Sequence, residues 1–236
     1  MHNNPMTSAL YPLLLHDFAN PALLEEALTH PSISNDGNTK KGEGVLNYER
    51  LEFLGDAVLG MVIADMLITH YPKETEGDLA KRRAALVCHE ALAGVAQSIH
   101  LGQYIHMAES EETIGGRENP ANLENALEAV IGALYIDGGI APATHFIRHH
   151  WLPLLDTMKS PPKDPKTALQ EWSQAKLLGI PEYTMLSAEG PPHAPVFTIQ
   201  VSLPGITPAV AKGGSKRFAQ REAARKLLEN VTKKQS

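Results

Sequence analysis

The pattern of apolar and polar positions divides the chain into two parts of different character. In the first part, apolar residues recur at helical spacing, and no convincing strand pattern interrupts them. Asn20 and Pro21 form an N-cap and first-turn pair that predicts a helix start, and Pro31 predicts its end. Further helices are predicted over residues 47–70, 79–99, 122–136 and 142–155, with a polar loop or short helix over 108–120. This part is therefore predicted to be all-α.

The C-terminal part of the chain changes from helical to mixed periodicity. Asp164-Pro165 predicts another helix start. Residues 196–203 alternate apolar and polar side chains, as a half-buried antiparallel strand does, and weaker strand patterns lie at 183–188 and 209–212. Gly213-Gly-Ser-Lys-Arg217 then leads into a final helix. The predicted order of elements is α-β-β-β-α.

This change in pattern predicts the domain organisation. We expect an all-α domain over residues 1–156 and a small α+β domain over residues 164–232. Residues 157–163 contain two prolines and two lysines, a composition typical of a short extended linker.

Charge is distributed unevenly between the two parts. Residues 1–156 carry 9 Lys and Arg against 21 Asp and Glu, whereas residues 157–236 carry 12 against 6. An acidic surface alone repels nucleic acid, but with bound cations and a basic appendage it could process one. This asymmetry therefore indicates a division of labour between the two domains.

Several features argue against a membrane or secreted protein. The chain has no apolar run of 18 residues, and its first residues lack the basic and apolar regions of a signal peptide. Cys88 is the only cysteine, so no intrachain disulfide partner exists. These features together predict a cytoplasmic protein.

The most informative stretch lies in the predicted helix over 47–70. Its acidic residues Glu49, Glu52 and Asp56 recur at i, i+3 and i+7, so they share one face, and apolar residues cover the rest of the helix. Carboxylates in an apolar setting need a positive partner, and Mg²⁺, Mn²⁺ or Ca²⁺ suits their oxygen ligands. The alternative is an ordinary amphipathic helix with a solvated acidic edge.

A second acidic element lies in the predicted helix over 122–136. Asn125 and Glu128 are an i,i+3 pair on one face of that apolar helix. If the two helices pack together, Glu52 and Asp56 would meet this pair around one point, as metal sites in helical bundles are built. A paired or capped helix acid is the alternative for Glu128.

The run Glu49-Arg-Leu-Glu-Phe-Leu-Gly-Asp56 resembles the signature of the ribonuclease III family, and the segment from Asn125 to Gly139 is similar to its second motif. The resemblance implies an endonuclease that hydrolyses phosphodiester bonds in double-stranded RNA with Mg²⁺, or Mn²⁺ as a substitute. It implies 5′-phosphate and 3′-hydroxyl ends, and roles in ribosomal, messenger and transfer RNA processing.

The same resemblance implies roles for individual residues. Asn125 departs from the family's usual Asp, which predicts weaker metal binding but not loss of function. A non-catalytic RNA-binding protein is the competing reading, and Asn125 is its one supporting feature. The implied metal ligands are Glu52, Asn125 and Glu128, the implied catalytic residues are Asp56 and Glu128, and the further cleft acids are Glu49 and Glu76.

The resemblance also implies a symmetric homodimer, whose two-fold axis suits a duplex. Phe53 matches the family residue that inserts into the partner subunit, and ordinary core packing is the alternative. Lys81-Arg82-Arg83 is the one basic cluster in the acidic part. It is interpreted either as a solvated helix face or as a contact to RNA phosphate.

The order α-β-β-β-α and the Gly-Ser-Lys-Arg helix start resemble the double-stranded-RNA-binding domain over residues 164–231. Such domains read duplex shape and 2′-hydroxyls across successive minor grooves. Gln220 stands where that domain usually has a third basic residue, which predicts modest RNA affinity. The implied minor-groove contacts are Thr167, Gln170, Glu171, Gln174 and His193, and the implied contacts to major-groove phosphates are Lys216 and Arg217.

Overall fold

A computed structural model describes residues 9–35, 46–190 and 195–233 of the chain. The chain folds into two compact units, Met1–Pro162 and Lys163–Ser236. Within the described ranges, no helix is both long enough and apolar enough to span a bilayer.

The first unit is helical, as predicted. Asn20 caps its helix by accepting a hydrogen bond from the N–H of Ala22, and Pro21 occupies the first turn. An isolated bridge joins Thr29 and His106. The helices are α1 (Tyr11–Leu14), α2 (Pro21–Ala27), α3 (Glu49–His70), α4 (Glu76–Leu86), α5 (His89–Ser98), α6 (Glu109–Thr113), α7 (Pro120–Gly138) and α8 (Ile140–Thr157), with 3-10 turns at Pro31–Asn35, Leu101–Tyr104 and Gly116–Glu118.

The prediction of one helix over 79–99 is wrong, because α4 and α5 are separate helices. Cys88 has an extended backbone conformation and starts α5. The break frees the carbonyl group of Leu86 at the end of α4, and the buried indole N–H of Trp151 donates to it at 2.8 Å. A contact from α8 therefore stabilises a helix end that no local proline or glycine marks. Cys88 is a free thiol in this single chain.

Arg82 fits neither interpretation of the basic cluster. Its side chain is only 1% exposed. The guanidinium donates to both carboxylate oxygens of Glu74, at 2.6 and 2.7 Å, and to the carbonyl oxygen of Met158 at 2.8 Å. It also lies 3.6 Å from the ring centroid of Tyr71. Arg82 is thus a structural link, whereas Lys81 and Arg83 are exposed.

Helices α3 and α7 pack against each other at the centre of the first unit, and most of α7 is buried. Burial of its apolar side chains stabilises the fold by roughly 25 cal/mol for each Å² removed from water. The surrounding core includes Leu59, Ile63, Phe146 and Trp151, all fully buried.

The second unit has the predicted order of elements: α9 (Pro165–Ala175), β1 (Glu182–Glu189), β2 (Val196–Leu203), β3 (Ile206–Gly213) and α10 (Lys216–Lys233). The three strands form an antiparallel sheet in the order β1-β2-β3. The alternation predicted for β2 is confirmed, since Ile199, Val201 and Leu203 are buried. They form the core together with Leu169 and Leu227 of the two helices.

Candidate functional site

Two glycines bring α3 and α7 into direct backbone contact. A Cβ atom on Gly55 would lie 1.7 Å from the carbonyl oxygen of Glu128. A Cβ atom on Gly132 would lie 2.3 Å from the carbonyl oxygen of Leu51. Both separations are far below any non-bonded contact, so only glycine fits at these positions. The contact holds the acidic turn of α3 beside the acidic turn of α7.

This contact gathers an acidic cluster, which comprises Glu49, Glu52 and Asp56 of α3 with Glu124 and Glu128 of α7. Burial, followed by repulsion from Asp56, Glu124 and Glu52, raises the pKa of Glu128 to about 8. Burial also raises the pKa of Glu52, and repulsion from Glu49, Glu124 and Asp56 adds to the rise. The cluster members therefore share one electrostatic environment.

The cluster has the character of a cation site. Every charged group that perturbs Glu52 and Glu128 is itself a carboxylate. Carboxylates in a partly buried position repel one another, and a divalent cation with a preference for oxygen would relieve that repulsion. Across the described ranges, no three His, Cys, Asp or Glu side chains converge tightly enough to enclose an ion. The acids thus face one another without closing around a single point.

Tyr48 places Asn125 at the edge of the acidic cluster. The buried phenol of Tyr48 shares a hydrogen bond with the side chain of Asn125, and burial raises the pKa of that phenol to about 12. The carbonyl oxygen of Tyr48 accepts from the N–H of Glu52 at 2.8 Å, and its own N–H donates to Thr29 at 3.0 Å. Asn125 is therefore tied to the first turn of α3, next to Glu52.

Glu124 is a cluster member that the sequence analysis missed. It lies one turn before Glu128 on the same face of α7, and its negative charge helps to raise the pKa of both Glu52 and Glu128. Its carboxylate also contacts Nδ1 of His89 in the first turn of α5. The i,i+4 spacing to Glu128 was the available signal, but the partner His89 is 35 residues away in sequence.

Glu76 is not brought to the acidic cluster within one chain. It begins α4 and lines a separate cavity of about 320 Å³. The rest of that cavity is mostly apolar, with a lining of Ala64, Leu67, Ile68, Leu79, Ala80 and Arg83.

An apolar stripe runs along the outward face of α3. Phe53, Met61 and Ile68 are 84%, 54% and 62% exposed. Ala57, which lies between the first two at helical spacing, is exposed as well. The alternative that Phe53 packs into its own core is therefore wrong. We refer to Phe53, Ala57, Met61 and Ile68 as the α3 stripe; such an apolar face on a single chain marks an interaction surface.

The second unit exposes most of the residues predicted to contact RNA. Lys216 and Arg217 are exposed in the first turn of α10, and among the described residues neither takes part in an ion pair. On α9, Glu171 accepts a hydrogen bond from Lys163 at 2.6 Å. His193 lies outside the described residues. The exposed predicted residues on α9 are Thr167, Gln170, Glu171 and Gln174.

Comparison with protein families matches each unit separately. The family model described as Ribonuclease-III-like matches residues 20–155, which lie in the helical unit. The model of the double-stranded RNA binding motif matches residues 165–231, from the start of α9 into α10.

Individual relatives are similar over nearly the whole chain. Ribonuclease 3 of Ehrlichia canis (strain Jake) is 47% identical over 226 residues, which are 96% of this chain and 98% of that protein. Ribonuclease 3 of Wolbachia pipientis wMel is 47% identical over 228 residues, which are 97% of each chain.

Solved structures match the helical unit. A crystal structure of the nuclease domain of ribonuclease III from Campylobacter jejuni has a TM-score of 0.54 and 41% identity, covering 62% of this chain and 96% of that one. A second structure of that domain concerns flexibility in a region involved in dimer formation; it has a TM-score of 0.53 and 41% identity, covering 61% of this chain and 96% of that one.

Proposed function

Because the chain belongs to the ribonuclease III family, we propose that it is a Mg²⁺-dependent endoribonuclease that hydrolyses phosphodiester bonds in double-stranded RNA. Mn²⁺ would substitute for Mg²⁺, and the products would carry 5′-phosphate and 3′-hydroxyl ends. Its substrates would be precursors of ribosomal, messenger and transfer RNA. The observation that carries this proposal is the group of carboxylates that surrounds Glu128 where α3 and α7 touch, Asp56, Glu124 and Glu52.

The residues of the acidic cluster suit a hard divalent cation. Glu52 and Glu128 would be its carboxylate ligands, and Asn125 would contribute its amide oxygen. When bound, Mg²⁺ lowers the pKa of the attacking water and offsets the charge that develops on the leaving 3′ oxygen. Binding would also release the proton that Glu128, with a pKa of about 8, holds at neutral pH.

The chain's own groups position the reaction and move its proton. Backbone contact at Gly55 fixes Glu128 relative to Glu52 and Asp56. Asp56 is exposed at the edge of the cluster, where an RNA strand would approach it. Its carboxylate oxygen would accept the proton of the water whose oxygen bonds to phosphorus. The bond from phosphorus to the 3′ oxygen would break in line with the attack, and that oxygen would take a proton from solvent water to give the 3′-hydroxyl end.

Glu124 supports the proposal because it restores the charge that Asn125 lacks. An amide oxygen can hold a cation or one of its waters, but it brings no negative charge. Glu124 directly precedes Asn125 in sequence. Its negative charge raises the pKa of both Glu52 and Glu128, so that charge lies near the place where the cation would bind. His89 holds this carboxylate from α5. We therefore expect that Asn125 lowers the affinity for the cation but that the charge of Glu124 preserves activity.

We further propose that the enzyme is a symmetric homodimer that forms through the α3 stripe. Phe53 of one subunit would enter the mostly apolar cavity beside Ile68 of the other, whose volume of about 320 Å³ is large enough for a phenyl ring. That cavity also carries Glu76, so assembly would bring Glu76 of one copy toward the acid-bearing helix of the other. Each of the two sites would then cut one strand of the duplex.

The second unit would hold the duplex. We assign catalysis to residues 1–156 and duplex binding to residues 164–232, with 157–163 as the linker. The exposed side chains of α9 and His193 would face minor grooves, and Lys216 and Arg217 would contact phosphates at the start of α10.

A cleavage assay on a perfect RNA duplex tests the proposed function. We expect short duplex products with Mg²⁺ and none with EDTA. Glu128→Gln should retain duplex binding but lose cleavage by at least about 100-fold, because it removes a carboxylate from the cation site. Stable binding without cleavage by the unmodified protein would instead identify a non-catalytic RNA-binding protein, the reading that Asn125 favours.

A further inference from the structure

We propose that Lys166, in the first turn of α9, is a phosphate-binding residue of the RNA-binding face and supplies the positive charge that Gln220 lacks. This inference rests on the proposed binding of double-stranded RNA by the second unit. Sequence alone does not indicate it, because Lys166 and Gln220 lie 54 residues apart.

The side chain of Lys166 is held beside Gln220. Its Nζ atom donates a hydrogen bond to Oε1 of Gln220 at 2.9 Å. The same atom lies 4.8 Å from the ring centroid of Tyr183. These two contacts hold the ammonium group of Lys166 next to the side chain of Gln220 and restrict its motion.

Position 220 continues the basic face of α10. Lys216 and Gln220 are an i,i+4 pair, and Arg217 and Gln220 are an i,i+3 pair, so the three side chains are neighbours on the helix surface. The ammonium of Lys166 therefore stands about one turn beyond Lys216. A row of three cations results, although the third comes from a different helix.

The charge of Lys166 is not neutralised by the protein. Its two contacts, an amide oxygen and an aromatic ring, are uncharged, and no carboxylate in the described ranges pairs with it. An ammonium has three N–H donors, so two remain for phosphate oxygens. Three neighbouring cations differ in this respect: Lys163 pairs with Glu171, Arg221 with Asp164, and Arg225 with Glu222 and Glu229.

A structural role is the alternative, because the hydrogen bond to Gln220 also ties α9 to α10. The two roles differ in salt dependence. A lost phosphate contact reduces the number of counterions released on binding, whereas a loosened helix contact does not. The slope of binding affinity against salt concentration therefore separates them.

The test uses the full chain in EDTA, so that RNA is bound but not cut, with a perfect duplex of about 20 base pairs to cover a footprint of about 16. We expect Lys166→Gln to weaken binding about three- to tenfold and to reduce the slope of log K against log salt by about 1. Lys176→Gln, at the exposed far end of α9, is the matched control and should change neither quantity.

A charge swap sharpens the test. In the double variant Lys166→Gln with Gln220→Lys, the ammonium returns to position 220 from α10 itself, so affinity and slope should both recover. An unchanged slope in Lys166→Gln overturns the proposal, whether or not the melting temperature falls. Absence of duplex binding by the unmodified chain would overturn the proposed RNA-binding function as well, so the two failures are distinguishable.

Discussion

The carbonyl oxygen of Glu128 occupies the space that a side chain on Gly55 would need, only 1.7 Å from where its Cβ atom would be placed. Through this relationship the backbone of α7 sets the position of the acids on α3. Glu52 and Asp56 flank Gly55 in sequence, so they cannot move away from Glu128 unless the two helices separate.

Gly55→Ala is therefore expected to destabilise the fold by roughly 2–3 kcal/mol and to abolish most of the cleavage activity, since a methyl group must push α3 from α7. Thermal unfolding and duplex cleavage measure the two effects. Gly94→Ala is the matched control, because a Cβ atom there meets nothing within 4 Å. It should stabilise its helix by about 0.5–1 kcal/mol. A Gly55→Ala protein with normal stability and activity would contradict the importance of this contact.

Glu128→Gln is expected to remove a pH dependence of stability in the absence of metal. The pKa of Glu128 is raised from 4.5 to about 8 in the folded chain, so its stabilising contribution is complete below about pH 4.5 and is lost as pH rises through about 8. At pH 8.5 the variant should be more stable than the unmodified protein by roughly 2 kcal/mol, after allowance for solvent screening.

Melting temperatures in EDTA at pH 4.5 and pH 8.5 measure this difference. The gap between variant and unmodified protein should nearly vanish at the lower pH. The exposed Glu118→Gln serves as a control for loss of a carboxylate outside the acidic cluster. Parallel pH profiles for all three proteins would show that Glu128 is not the responsible group.

Residues 124 and 125 should shift the metal requirement in opposite directions. Asn125→Asp adds a charge at the proposed cation site and is expected to lower the Mg²⁺ concentration for half-maximal cleavage. Glu124→Gln removes a charge and should raise that concentration roughly tenfold. Duplex affinity in EDTA should be the same for both variants, which separates metal binding from RNA binding. If Glu124→Gln has no effect, Glu124 does not compensate for Asn125.

Phe53→Ala is expected to weaken self-association by about 2 kcal/mol, or about 30-fold in dissociation constant, because an aromatic anchor is lost from the proposed dimer contact. Sedimentation at several protein concentrations measures the change. The stability of the separate chain should hardly alter, since the side chain is 84% exposed. Ile114→Ala, also highly exposed but outside the α3 stripe, is the control. Equal association by both variants would place the dimer contact elsewhere.

Local patterns were sufficient for most helices and for the alternation of β2. Caps such as Asn20 with Pro21 act through neighbouring backbone groups, so they can be recognised in sequence. The break between α4 and α5 could not be recognised in sequence, because the group that hydrogen-bonds to the carbonyl oxygen of Leu86 is the indole of Trp151 on α8. Arg82 was misread for a similar reason: its charge pattern is that of an exposed helix, but Glu74, Tyr71 and Met158 surround it.

The acids were predicted from their spacing on two helices, but the reason for their proximity was not. Gly55 and Gly132 lie within otherwise apolar helices, where a glycine without a turn to make indicates close backbone approach. Four of the five acids of the acidic cluster were predicted, and Glu124 was missed because its partners Glu52 and His89 are distant in sequence. The exposure of Phe53 also needed coordinates, since a helix that is apolar around most of its girth looks buried in sequence.

The α3 stripe begins beside the acidic turn, since Phe53 lies four residues after Glu49 and three before Asp56, and it then continues along α3 as far as Ile68. A carboxylate-lined cleft offers few apolar contacts to a neutral compound, and without bound cations it repels an anionic one. An apolar compound bound over Phe53 and Met61 would instead bury the exposed apolar surface of these two side chains. If the chain dimerises through the α3 stripe as proposed, such a compound would keep the two copies apart and prevent both cuts in a duplex.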